Sequence, residues 1–249
     1  TLNTTTMGSG TTDASATLLF DAGDIGLNNE NKDVRAFTLI ENVLPPNQDP
    51  VVSLSITSLN YTEGDPATII DPGATLTDPD SINFAGGLLR VDLDTTGSVN
   101  DRLAIHNEGT EAGQIGISDT TVTYGGLAIG TFAGRTDGSD PLTVLFNSNA
   151  TVVSVEAVMR NITFENVSDD PATAARTVRF VVTDGDGGTS GNYDATVTVS
   201  RVNDAPVNIM PPVQFTNLDT PVIFSVAGGN PIAVSDAEIV PPPTRSPVT

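Results

Sequence analysis

An all-β sandwich carrying one short helix is the fold class that this sequence predicts, and three observations predict it. The apolar content is 38%, supplied largely by β-branched and aliphatic residues, with no Trp; such side chains suit a pleated, half-buried strand surface. Glycine contributes 23 residues and proline 17, a density of turn punctuation that long helices do not tolerate. Several stretches alternate apolar and polar residues with a period of two, the mark of a strand with one buried face. Disordered acidic chains are richer in Glu and Lys and poorer in β-branched residues. Here most of the 31 acids are Asp, the acid that suits turns and metal loops. A length of 249 residues exceeds the usual single domain of roughly 100–200 and points to one large or two modest domains.

The elements follow in order. Ala16–Phe20, an Asp-containing loop from Asp21 and Val34–Ile40 read as strand, loop and strand, closed by Asn47-Gln-Asp-Pro50. Val51–Ser58, Thr68–Ile70 and Ala74–Thr77 read as strands leading to Asp78-Pro-Asp80. Val155, Val158, Met159 and Ile162 stand at helical spacing behind Thr151 and Ser154, both candidate N-caps, so a short helix or helical turn crosses the end of the sandwich here. Thr177–Thr183 reads as a strand, Asp184–Asn192 as a run of turn residues, and Tyr193–Ser200 as a strand alternating Tyr193, Ala195, Val197 and Val199 against polar neighbours. Two such runs joined by a Gly-rich connection form an antiparallel pair, with Val181, Val197 and Val199 expected in the core. Pro206 ends the ladder.

The order recurs. Strand, Asp-rich loop, strand and exit occur before Pro50 and again before Pro206, and Val51–Asp80 is echoed by Val207–Glu238. The period is about 155–160 residues, which makes this a repeat architecture. The expected division is residues 1–48 as the final strands of a preceding repeat plus linker, 49–206 as one complete repeat, and 207–249 as the first strands of a following one.

Composition narrows the function. There is no Cys, hence no disulfide, thiolate metal site or Cys nucleophile. The single histidine, His106, reads as a surface or partly packed residue at a strand end. A net charge of −21 excludes gripping nucleic acid or an anionic membrane through a basic surface. No apolar run approaches the roughly 18 residues of a membrane helix, and no basic segment followed by an apolar one opens the chain. Nucleophile elbows, phosphate loops and dinucleotide fingerprints do not occur. Asp184-Gly-Asp-Gly-Gly188 is not an EF-hand loop, for it lacks an acid or Asn at its fifth position and a Glu at its twelfth.

Thr177-Val-Arg-Phe-Val-Val-Thr-Asp-Gly-Asp-Gly-Gly-Thr-Ser190, Ala195-Thr-Val-Thr-Val199 and Val202-Asn-Asp-Ala-Pro206 resemble the ends of bacterial cadherin-like repeats. Thr123–Thr131 and Val155–Pro171 resemble other parts of the same giant surface proteins. The resemblance covers residues 49–206 and, in part, both flanks; it implies cadherin/Ig-like Greek-key sandwich repeats that bind calcium at their joints. Calcium takes six to eight hard oxygens, which Asp, Glu, Asn and backbone carbonyls in loops supply. By resemblance, Asp78 and Asp80 match the family's Asp-x-Asp pair, Asp184 the Asp after the penultimate strand, and Asn47 and Asp49 the linker ligands of that end. At the other end Glu63 matches the first-strand Glu, Asn203 and Asp204 a shortened linker, and Asp236 with Glu238 the next unit's Asp-x-Asp. The mid-domain Asp/Glu motif has Glu165, Asp169 and Asp170 as its nearest substitutes, and the linker lacks the full Asp-x-Asn-Asp-Asn of vertebrate cadherins.

The expectation is therefore a non-enzymatic structural or adhesive repeat, extracellular or on a bacterial cell surface: a calcium-rigidified stalk, biofilm-matrix fibre or filament subunit. Its partners would be neighbouring repeats, identical subunits joined head-to-tail, or a cell-surface or matrix ligand, without nucleic acid or membrane insertion. The alternative is a carbohydrate-binding or carbohydrate-active β-sandwich module, which would need clustered exposed aromatics.

Overall fold

The computed structural model describes residues 46–94, 97–134 and 137–238; the strands expected at Ala16–Phe20 and Val34–Ile40 lie outside them. In chain order the elements are β1 (Val51–Ser53), β2 (Ser58–Thr62), β3 (Thr68–Ile69), β4 (Thr75–Thr77), β5 (Leu88–Asp92), β6 (Asp101–Ile105), β7 (Ile115–Ser118) and β8 (Thr121–Tyr124). There follow β9 (Leu127–Ala133), β10 (Leu142–Phe146), α1 (Val152–Arg160), β11 (Ile162–Asn166), β12 (Arg176–Thr183), β13 (Tyr193–Ser200), β14 (Val207–Ile209) and β15 (Ala233–Ser235). Among the described residues the protein is all-β with one short helix.

An eight-stranded sheet runs in the order β2-β13-β12-β5-β10-β9-β8-β7, and a three-stranded sheet in the order β3-β11-β6. All pairings are antiparallel except that of β2 on β13, which is parallel. Both sheets send apolar side chains into one core: Leu89, Val91, Val144, Phe180 and Val197 from the large sheet, Leu103, Ile162 and Phe164 from the small one. Tyr61 of β2 bridges them, its ring edge-on to Phe164 at 5.3 Å between centroids. The buried Tyr61 hydroxyl donates to Asp65 O at 2.6 Å, so the ring is buried without stranding its polar end.

The expected antiparallel pair is present as β12 and β13, with Phe180 opposite Tyr193 and Arg176 opposite Val197. The inward phase of β12 differs from the expectation at one residue. Arg176, Val178, Phe180 and Val182 point inward, whereas Val181 is only half-buried and lies across from Arg90. A strand offers one face to a core, and both phases of this run contain valine; the phase holding Phe180 and two valines buries more apolar area than the phase holding Val181. Val197 and Val199 are buried as expected.

α1 begins where the sequence places it. The Ser154 amide donates to Thr151 Oγ1 and the Thr151 amide to Ser154 Oγ, a reciprocal capping box. Val155, Val158 and Met159 face the core. On the flank, Glu156 Oε2 accepts from the Leu76 amide at 3.0 Å and Arg160 Nε donates to Ala74 O at 2.7 Å, which ties the helix to β4. Thr151→Ala removes one side of the box and should lower stability by about 1 kcal/mol in urea unfolding; Thr151→Ser should recover it.

The pairing of β1 with β4 recurs in the C-terminal segment. β14 pairs with β15 as β1 pairs with β4, antiparallel over three residues each: Val207↔Ser235 mirrors Val51↔Thr77, and Ile209↔Ala233 mirrors Ser53↔Thr75. Val52 and Leu76 are buried in the β1–β4 pair, where α1 packs against β4. β14 and β15 are exposed throughout, as are Phe215 and Leu218 between them.

Candidate functional site

The sequence motifs gather at two linkers, residues 47–50 ahead of β1 (the entry) and residues 203–206 between β13 and β14 (the exit). β12 ends at Thr183, and the next residue, Asp184, is fully buried. Its Oδ1 accepts from the amides of Asp186 (2.8 Å), Gly187 (3.0 Å) and Gly188 (2.9 Å). Its Oδ2 accepts from Asn47 Nδ2 at 2.8 Å. Burial alone would raise the carboxyl's pKa; the Asn47 side chain and the three loop amides outweigh it and hold the group below the ordinary Asp value.

Such a tight turn needs its glycines. Gly187 has φ +116°, and a Cβ on Gly188 would collide with the Asp184 carboxylate while lying 2.9 Å from both Gln48 O and Asn47 Nδ2. The entry linker thus lies directly on the loop. Asp49 Oδ1 accepts from the Thr189 amide at 3.0 Å, and the Gln48 amide donates to Asp80 Oδ2 at 3.0 Å. Asp78 Oδ1 accepts from the amides of Asp80 (3.4 Å) and Ser81 (3.1 Å). The other oxygens of the pair, Asp78 Oδ2 and Asp80 Oδ1, are buried with no hydrogen-bond partner, as is Ser81 Oγ.

The exit repeats part of this pattern. The Asp204 amide donates to Glu238 Oε1 at 3.1 Å, as Gln48 does to Asp80, and the Glu238 amide donates to Asp236 Oδ1 at 3.2 Å, as Asp80 does to Asp78. Glu63 follows β2; its amide donates to Ser200 O at 2.9 Å and its Oε2 accepts from the Val202 amide at 2.8 Å. Glu63, Asp204 and Glu238 bring one carboxylate oxygen each to within 4.8 Å of one another. Glu63 Oε1 and Glu238 Oε2 are buried and unpartnered. The Asp204 amide lowers the Glu238 pKa, but desolvation, Asp236 and the Asp204 charge outweigh it, so the carboxyl sits above its ordinary value.

Of the ten residues singled out in the sequence, five therefore lie around the entry linker and five around the exit. Asp184 gives Oδ1 to its own loop and shares Oδ2 between the Gly188 amide and the Asn47 side chain. Asn203 is exposed and donates its side-chain amide to Asp204 O. Asp236 borders a surface recess with Asp169 and Asp204, which places one substitute for the mid-domain motif beside the exit. Two features escaped the sequence reading: the unpartnered Ser81 hydroxyl beside Asp78, and the amides of Gln48 and Asp204 as the atoms that fasten each linker to the second acid of its pair. His106 is exposed just past β6. No family model, curated protein or solved structure matches the chain.

Proposed function

We propose that the chain is a non-enzymatic structural and adhesive segment of a secreted or cell-surface protein, built from cadherin-like repeats whose joints are stiffened by calcium. In this reading residues 49–206 are one complete Greek-key repeat and the hairpin β14–β15 opens the next. The observation that carries it concerns buried atoms lacking partners. Among the described residues these include four carboxylate oxygens, on Glu63, Asp78, Asp80 and Glu238. All four belong to the joint motifs.

A buried anionic oxygen without a donor costs about 1–3 kcal/mol or more relative to a paired one, and native proteins keep few. A hard divalent cation satisfies such oxygens and removes the repulsion among them. Glu63, Asp204 and Glu238 would hold it at the exit, and Asp78 and Asp80 at the entry. The ion's contribution is to bind carboxylates from successive units to one centre where few apolar contacts span the joint. The repeated register of β1–β4 in β14–β15, and the repeated linker-to-acid bonds, support the division into units. The parallel pairing of β2 on β13 joins an early strand of this unit to its last one, which supports treating them as one unit.

Calcium at about a hundred times its Kd should add about 2.7 kcal/mol of stability. For a chain of this size that is an upward shift in Tm of several degrees, about 2–4 °C per kcal/mol. Thermal unfolding in millimolar calcium against excess chelator measures it. The combined variant Asp78→Asn, Asp80→Asn, Glu63→Gln, Glu238→Gln should lose the shift. Asp119→Asn should keep it; this residue sits at φ +52°, where Asn is tolerated and Ala is strained. A midpoint indifferent to calcium in the unaltered chain would rule the reading out.

A further inference from the structure

The segment that follows the exit is apolar and open. Residues 207–235 hold one charged side chain, Asp219, and their exposed apolar residues include Ile209, Val213, Phe215, Leu218, Ile223 and Val234. Apolar residues exposed singly are ordinary; a run of them marks a surface made to be covered.

Residues 51–77 show what covers such a segment. They run in the order β1, Tyr61, a turn, Thr68–Ile70 and β4, and the C-terminal segment runs β14, Phe215, a turn, Val222–Phe224 and β15. Each turn is closed by the amide of its fourth residue on the carbonyl of its first, Asp65 on Thr62 O at 3.0 Å and Thr220 on Asn217 O at 3.1 Å. In each the third residue has positive φ, Gly64 at +77° and Asp219 at +61°. Yet Tyr61 is 1% exposed and Phe215 94%; Leu76 is 3% exposed and Val234 60%. β13 lies along β2, parallel to it, with Val199 opposite Tyr61. Among the described residues no strand pairs with the chain around Phe215. β13 cannot serve twice, because β2 and β12 already flank it. By sequence the chain has another strand of that kind, Val34–Ile40. Ala16–Phe20 precedes it as β12 precedes β13, and Asn47–Pro50 follows it as Asn203–Pro206 follows β13. Both stretches lie outside the described residues.

Resting on the division into units above, we propose that the C-terminal segment of one copy is the docking site for residues 16–40 of another, with Val34–Ile40 adding beside Phe215 as β13 adds beside Tyr61. A two-stranded pair such as β14–β15 is marginal in water by itself, and two further strands lift it above that limit. Main-chain bonds to the added strand supply affinity, and its alternate side chains set the register. The contact joins unlike surfaces, so it propagates from copy to copy.

Sedimentation velocity on the full 249-residue chain in millimolar calcium tests this. The parent should grow past the dimer as its concentration rises. Phe215→Asp with Ile223→Asp blocks the site at two exposed positions, and Phe37→Asp with Leu39→Asp blocks the inserted strand. Each variant should stay monomeric alone. Mixed in equal amounts they should form dimers that grow no further, since each keeps one working end. The Phe215→Asp, Ile223→Asp variant should keep the parent's urea midpoint, because neither side chain belongs to the core. Assembly of the Phe37→Asp, Leu39→Asp variant by itself would mean that C-terminal faces pack on each other, and would overturn the assignment. So would a mixture that stays monomeric or grows beyond dimers. A parent that remains monomeric yet gains thermal stability from calcium would overturn this inference and leave the proposed function standing.

Discussion

Asp101→Ala should cost about 3–5 kcal/mol, the loss expected when one partner of a buried ion pair is removed. Asp101 is fully buried at the start of β6, and Arg176, 1% exposed, enters β12 opposite it with Nε 3.2 Å from Asp101 Oδ2. The carboxylate also accepts from Asn166 Nδ2 at 2.6 Å and from the Ser98 amide at 2.7 Å. Arg176 Nη1 donates to Ala172 O and Ala174 O, which folds the 167–175 segment back over the core. Truncating Asp101 leaves a buried guanidinium, the Asn166 amide and the Ser98 amide without their acceptor. For a domain of typical stability, about 5–15 kcal/mol, that is a large fraction of the total.

The pair itself need not be strongly stabilising, because both ions lose their hydration, and Arg176 Nη2 has no acceptor. Arg176→Met with Asp101→Asn removes both charges and keeps an acceptor for Ser98 or Asn166. Its urea midpoint should lie well above that of Asp101→Ala. A double variant as unstable as the two single losses added together would show that the charges are not what is at stake.

The same arginine marks the limit of what the sequence shows. Local pattern locates β12, the glycine-rich turn, β13 and the Thr151-capped helix, because alternation, turn residues and caps are written in neighbouring positions. Arg176 stands in phase with Val178, Phe180 and Val182, whereas a reading that puts Val181 in the core leaves the arginine on the outer face, so the local pattern does not by itself reveal a buried cation. It does not say which of 31 acids answers, since Asp101 lies 75 positions away. Nor does it show that β7 to β10 continue the large sheet beyond β5, for pairing order is set by long-range packing. At the joints, spacing after strand ends gathers the right loops. It cannot separate an Asp whose oxygens are all met by donors, as those of Asp184 are by its turn amides and Asn47, from one whose oxygen is left without a donor, as in Asp78. The two tasks use the same side chain in the same kind of loop, and only the count of nearby amides tells them apart.

Phe180→Ala should cost about 3–5 kcal/mol, and Val181→Ala no more than about 0.5 kcal/mol. The two residues are neighbours on β12, the strand between β13 and β5 in the large sheet. Phe180 has no exposed surface and packs within the shared core. The core it belongs to is built from side chains of both sheets, so truncation opens a cavity within a close-packed interior. Loss of transfer free energy and loss of contact then add, because a close-packed interior relaxes only partly around a void. Val181 is half-buried on the outer face opposite Arg90, where water and the arginine stem refill the space a smaller side chain gives up. Urea unfolding of both variants should show an unchanged slope, with the midpoint displaced strongly for Phe180 and hardly for Val181. The reverse order would mean that β12 is turned by one residue. Since a strand has a period of two, that turn would drive Arg176 out of the core and break its contact with Asp101.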